Sequence, residues 1–206
     1  MGLYDRYVLS PLLNCVCGLP LVTAQRRKVV PQARGRVLEI GMGSGLNFEL
    51  YDRAKVTSVV GLDPSEVLFD YARERASGLP FPVEFLVGGA EANPLPDASV
   101  DTVLITYTLC SIREVERALT HMRRVLKPGG QLLFCEHAAA PDAGVRRAQE
   151  WIEPVWKHLA GGCHLTRDTP VLLERAGFRI DSVQSYYVPK VPRFVGFHHV
   201  GAAHAR

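Results

Sequence analysis

The sequence predicts an α/β fold: a doubly wound, seven-stranded sheet covered by helices on both faces and ending in an antiparallel hairpin. Three observations carry this prediction. Short runs rich in Val, Ile and Leu recur along the chain, segments of helical periodicity alternate with them, and the last two apolar runs are separated only by Pro-Lys-Val-Pro. Strands alternating with helices imply a parallel sheet with right-handed crossovers, whereas a connection as short as the last one suits a hairpin.

The first strand is RVLEI at 36–40, which runs into a loop with glycine at 41, 43 and 45 and then into a helix-compatible stretch. TSVVGL at 57–62, VEFLVG at 83–88, DTVLIT at 101–106 and QLLFCEH at 131–137 follow. Each is nearly continuous in apolar residues, as a strand buried on both faces requires. Before the fifth run, Val115, Leu119, Met122 and Leu126 make one apolar helical stripe. The stretch from Ala138 to Asp168 is too long and too rich in aromatic, His and Cys residues for a plain crossover, and reads as an insertion. TPVLLERAGF then predicts a short helix closed by Gly177 in a left-handed conformation. RIDSVQSYYV and RFVGFHHVGAAHA supply the hairpin.

With 206 residues, the chain can bury one sizeable core and reads as a single domain. Its segments are an N-terminal lid (1–34), a cofactor-binding core (35–137), an inserted substrate-side segment (138–168) and a C-terminal helix and hairpin (169–206). A net charge of +3, with scattered Lys and Arg, argues against a nucleic-acid partner. The densest basic run, QRRKVV, reads as a solvated helix end.

Leu12 to Val22 is apolar but contains Asn14, Gly18 and Pro20, and it falls short of the about 20 residues of a membrane span. A lid helix over a site is the favoured reading, with peripheral membrane contact through residues 12–28 as the alternative. Five cysteines without regular spacing argue for a reducing, cytoplasmic setting and against a disulfide framework. They form no C-x-x-C pair, so no metal site is expected and the thiols read as small structural residues.

Glycines at 41, 43 and 45 let the chain turn tightly out of the first strand and bring a ligand against the backbone. Leu46 stands where a dinucleotide fingerprint has its third glycine, which weakens a nicotinamide reading. Asp63, at the end of the second strand, can accept from both hydroxyls of a ribose.

Together, VLEIGMGSGLNFELY, GLDPS, PLPDASVDTVLITYTLCSI and RRVLKPGGQLLFCEH resemble class I S-adenosylmethionine-dependent methyltransferases of the ubiquinone-methyltransferase-like type. TLCSI, CEHAAA, WIEPVWK and GGCHLTRDT with LLERAGF extend the resemblance to methyltransferase-like proteins acting on alkyl thiols and hydrogen sulfide.

The resemblance implies S-adenosylmethionine as cofactor and S-adenosylhomocysteine as product. The cofactor would be held by Glu39, Gly41, Met42, Gly43, Gly45, Asp63, Pro64, Gly89, Ala90, Glu91 and Thr106. Many relatives have Asp where Gly89 stands, so the adenine edge must be read by backbone near Gly89 and Ala90 or by Glu91.

The acceptor, a small thiol or sulfide, is expected beyond the ends of the fourth and fifth strands. Tyr7, Leu109, Cys110, Glu136, Trp156, Cys163 and His164 would line its site, with His137, Arg167 and Tyr107 as catalytic candidates. His137 is the first choice of base, because an imidazole titrates near neutrality, with a structural hydrogen bond to the inserted segment as the alternative. Arg167 would favour a thiolate, or else clamp Glu136 or Asp168. Trp151 and Trp156 read as wall or lid packing, and Tyr4 and Tyr7 either as closing over the methionine end of the cofactor or as capping a packed N-terminal helix. Methylation of a quinone carbon or phospholipid amine is the alternative reaction, and a catalytically silent cofactor-binding protein the second alternative.

Overall fold

The computed structural model describes residues 10–205, with side chains from Asn14 onward. The expected roles of Tyr4 and Tyr7 lie outside the described residues. Seven strands form one sheet: β1 (Gly35–Ile40), β2 (Val56–Asp63), β3 (Val83–Val87), β4 (Val100–Thr106), β5 (Leu126–His137), β6 (Phe178–Tyr187) and β7 (Phe197–Ala205). Their order is β3-β2-β1-β4-β5-β7-β6. The first five pair in parallel, and β7 lies antiparallel to both β5 and β6. The doubly wound sheet with a C-terminal hairpin expected from the sequence is therefore the fold.

Alternation along each strand feeds two cores. Leu38, Val60, Val103, Leu132 and Phe134 face one side of the sheet. There they meet Leu119 and Met122 of α4 (Val115–Val125) and Leu173 of α6 (Thr169–Arg175). Val37, Val59, Leu104, Leu133 and Cys135 face the other side, against Phe69 and Ala72 of α3 (Glu66–Ala76). Of the expected α4 stripe, Leu119 and Met122 are buried and Val115 is half-buried, while Leu126, also buried, already belongs to β5. Gly177 ends α6 with φ of +85°, the left-handed conformation that glycine adopts without strain.

Three expectations need correction. The stretch after the glycine loop makes only a 3₁₀ turn, Phe48–Leu50, rather than a helix. Residues 46–55 are too few for a helix and the turn into β2, where the Asp52 carboxylate accepts the Ala54 N–H at 3.0 Å. The basic run is not a solvated helix end throughout. It closes α2 (Pro20–Arg26), where Gln25 and Arg26 are buried while Arg27 and Lys28 stay exposed.

The third correction lies in the inserted segment, whose first half is one long helix, α5 (Ala143–Leu159). It turns Trp156 inward but leaves Trp151, Val155 and Leu159 outward, with Trp151 83% exposed rather than packed. A spacing of four residues puts these three side chains on one face of the helix. Among the described residues, no helix is long and apolar enough to cross a membrane.

Candidate active site

Strand order reverses between β1 and β4, and the crevice beyond the C-terminal ends of such strands is where this class of sheet binds ligands. A cavity of about 910 Å³ opens there, lined by Glu39, the loop Gly41–Ser44, Asp63, Pro64, Gly89, Ala90, Glu91 and Thr106. Glycines 41, 43 and 45 all have positive φ. A Cβ on Gly41 would run into the Thr108 side chain, whereas one on Gly43 would meet nothing closer than Leu68 at 3.7 Å and is excluded by conformation.

Asp63 fixes the loop. Its carboxylate accepts from Gly43 N at 2.8 Å and Ser65 N at 2.7 Å, and burial raises its pKa. Glu39 is fully enclosed beside it. Asn47 Nδ2 and the Tyr51 hydroxyl donate to its two oxygens at 2.9 and 2.5 Å. Burial nevertheless pushes the Glu39 carboxyl up to about 7. Asn47 also donates to Thr106 Oγ1 at 2.9 Å, joining β1 to β4.

The roof comes from α1 (Ser10–Cys17) and α2. Ser44 Oγ donates to Asn14 Oδ1, and Asn14, Cys17 and Arg26 line the cavity. Arg26 donates to the Cys17 carbonyl at 2.5 Å.

A second, more apolar cavity of about 440 Å³ lies against the first. Cys17, Tyr107, Ser111 and Gly161 line both. Its other walls include Val22 of α2, Trp156 of α5, and Val188, Val195 and His198 of the C-terminal hairpin region. On it, Cys110 from the β4 exit, His137 from the end of β5 and Cys163 from the loop after α5 come together, with their ligand atoms within 4.8 Å of one another.

His137 Nε2 is 3.1 Å from Cys163 Sγ, to which Trp156 Nε1 donates at 3.3 Å. The Cys110 thiol, His137 and Trp156 together draw the Cys163 thiol well below its ordinary value, against the opposing effect of burial. Cys110 moves the opposite way, raised by its interaction with Cys163 and by burial. Tyr107 has φ of +56°, and burial raises its phenol far above the ordinary value. Burial lowers His198 to about 4, so its imidazole is neutral at pH 7.

Residues 38–134 match the methyltransferase domain family. A thiol S-methyltransferase of Homo sapiens is 36% identical over 212 residues, covering 97% of this chain and 84% of that protein. A thiol S-methyltransferase of Rattus norvegicus is 35% identical, over 81% of this chain and 69% of its own length. The chain belongs to their family, the class I methyltransferases.

A demethylmenaquinone methyltransferase of Clavibacter sepedonicus is 35% identical over 62% of this methyltransferase and 51% of its own length. At the level of fold, a SAM-dependent methyltransferase structure from Thermotoga maritima superposes with a TM-score of 0.70 and 24% identity. It covers 98% of both chains.

In this methyltransferase the residues expected to hold the cofactor gather around one cavity, except Gly45, which packs its turn against Phe48 behind the lining. The expected acceptor residues divide. Tyr107, Cys110, His137, Trp156 and Cys163 line the apolar cavity. His164 faces the larger cavity and pairs with Glu153 at 3.0 Å.

Leu109 turns into the core. Glu136 serves the β4 exit, accepting from Thr108 N at 2.8 Å and Leu109 N at 3.2 Å. Arg167 takes up neither expected partner. Its guanidinium donates to the carbonyls of Leu109 and Ile112, the latter at 2.7 Å, while Asp168 caps α6 through Val171 N.

Arg26, Asn47, Cys17 and His198 are site residues that sequence reasoning missed. Only Asn47, two positions past the last loop glycine, carried a local signal.

Proposed function

We propose that this methyltransferase moves the methyl group of S-adenosylmethionine to a small, apolar thiol or sulfide, yielding S-adenosylhomocysteine and a methyl thioether. The observation that carries the reading is the apolar cavity with a sulfur–imidazole wall that abuts the larger one at Tyr107 and Ser111. Similarity to thiol S-methyltransferases over nearly the whole chain supports it.

The larger cavity suits the cofactor. Each Asp63 oxygen takes one backbone N–H and keeps acceptor capacity for a ribose hydroxyl. Open space at Gly43 admits the cofactor to the backbone, and Leu62, Leu68 and Ala90 offer apolar surface to an adenine. The adenine edge is left to the backbone near Gly89 and Ala90 or to Glu91. The Arg26 guanidinium at the end of α2 and the Glu39 carboxyl of β1 suit the carboxylate and ammonium of a methionine moiety.

Bound there, S-adenosylmethionine supplies a sulfonium methyl group. Residues of this chain hold the acceptor in line with it, at a separation of about 3 Å. The attacking species is the thiolate. Tyr107, neutral and buried, shapes the passage rather than taking a proton. His137 and Cys163 face the acceptor as a pair.

A quinone or other lipid acceptor is the second reading. It is favoured by the exposed Val16, Leu19 and Leu21 on the rim of the apolar cavity, which would also serve a peripheral membrane contact. Incubation of the purified protein with cofactor and an alkyl thiol should give methyl thioether in proportion to enzyme. Methyl thioether no greater than the enzyme-free control would overturn the thiol reading.

A further inference from the structure

Cys110, His137 and Cys163 come from three different elements, yet their ligand atoms lie within 4.8 Å of one another on the wall of the apolar cavity. Two thiols and an imidazole are a donor set that suits zinc, which takes four tetrahedral ligands and, in catalytic sites, only three from the protein. We propose that these three residues bind one zinc ion whose fourth position faces the apolar cavity and receives the sulfur of the acceptor.

Four observations bear on the proposal beyond the donor set. The cluster is assembled without local spacing, which is why the missing C-x-x-C pair does not argue against it. Trp156 Nε1 donates to Cys163 Sγ at 3.3 Å, an outer contact of the kind that orients a metal-bound thiolate. His137 Nδ1 is buried without a partner, and so is Glu136 Oε2 on the adjoining residue. Of the two, only His137 lies on the wall of the apolar cavity, where a polar group without a partner is costly. Finally, the cluster adjoins the boundary between the cavities, since Cys110 precedes the shared Ser111 and Cys163 follows the Gly161–Gly162 turn.

The metal-binding half of the proposal stands by itself; the catalytic half rests on the thiol-acceptor reading. In that half, the acceptor thiol enters the open position and gives its proton to solvent. Its sulfur lone pair forms the new S–C bond while the sulfonium S–CH₃ bond breaks and returns its electron pair to the cofactor sulfur. The neutral thioether, a poorer ligand than a thiolate, then leaves the metal.

The test uses the full chain, purified, dialysed exhaustively and reconstituted with zinc sulfate. Metal content is measured by mass spectrometry, and S-adenosylhomocysteine affinity by calorimetry as the check on folding. About one tightly held zinc per chain is expected. Cys110→Ser and Cys163→Ser should each lose it, with affinity falling by on the order of 100-fold, while Cys15→Ser, on the exposed face of α1, should keep it. Trp156→Phe should weaken zinc by about tenfold. Replacement by cobalt(II) should give sulfur-to-metal charge-transfer absorption in the wild type that is altered in both serine variants.

Substoichiometric zinc in the folded wild type, or zinc held equally by both serine variants, would overturn the site. Undiminished thiol methylation by metal-free enzyme in excess chelator would overturn the catalytic half while leaving the thiol reading intact. One zinc per chain with no thiol methylated would sink the thiol reading and leave the metal site standing.

Discussion

Asp63 has two tasks in this structure, which makes its replacement informative. Its oxygens already hold Gly43 N and Ser65 N, so Asp63→Ala would remove the proposed ribose contacts and loosen the loop at once. Charge-assisted hydrogen bonds are worth about 1.5–3 kcal/mol each. S-adenosylhomocysteine affinity should therefore fall by at least about 100-fold in a calorimetric titration, and unchanged affinity would remove Asp63 from the site.

Glu39 predicts a pH effect. Its carboxyl titrates at about 7 in the folded protein against 4.5 ordinarily, burial being the largest cause. A group that binds its proton more tightly when folded costs nothing below its unfolded pKa. It destabilises the fold progressively as pH rises through the folded one. Wild-type stability should drop between about pH 4.5 and 7 by a contribution on the order of 3 kcal/mol, and Glu39→Gln should flatten that slope in urea unfolding series. An identical slope in both proteins would show that Glu39 is not the titrating group.

Elements differ in how far the sequence discloses them. The five parallel strands were legible because burial on both faces demands uninterrupted apolar runs, and RVLEI or DTVLIT can hardly be anything else. Helix α4 was legible through a single stripe. Helix α5 was not, because its apolar residues point both ways, Trp156 inward and Trp151, Val155 and Leu159 outward, with Pro154 among them.

The buried end of α2 was equally opaque. A basic run ordinarily stays in water, and only packing of α2 over the β1 end encloses Arg26. Arg167 makes a prediction at this scale, since it ties the loop before α6 to the β4 exit through two carbonyls. Arg167→Ala should cost about 3 kcal/mol in chemical denaturation and lower turnover equally at every pH. A pH-dependent loss with wild-type stability would return Arg167 to a catalytic role.

For the whole molecule, the residues proposed to hold the cofactor could be singled out from one glycine loop and one acidic residue because both lie at strand ends, where sequence order and spatial order coincide. The acceptor half could not. Cys110, His137, Cys163 and His198 are brought together by β4, β5, the α5 loop and β7, and no spacing in the chain records that convergence. Leu109 and Glu136, next to two of them, were assigned to the acceptor by proximity alone, and the structure turns one to the core and the other to the loop backbone.

The central claim is that the apolar cavity presents a thiol to the sulfonium methyl group. It is tested most directly by giving the enzyme S-adenosylmethionine labelled in its methyl group together with an equimolar mixture of an alkyl thiol and a demethylated quinone, then partitioning label between products by mass spectrometry. The account predicts label in the methyl thioether, with little in the quinone. Label confined to the methylated quinone, with none on sulfur, would contradict it.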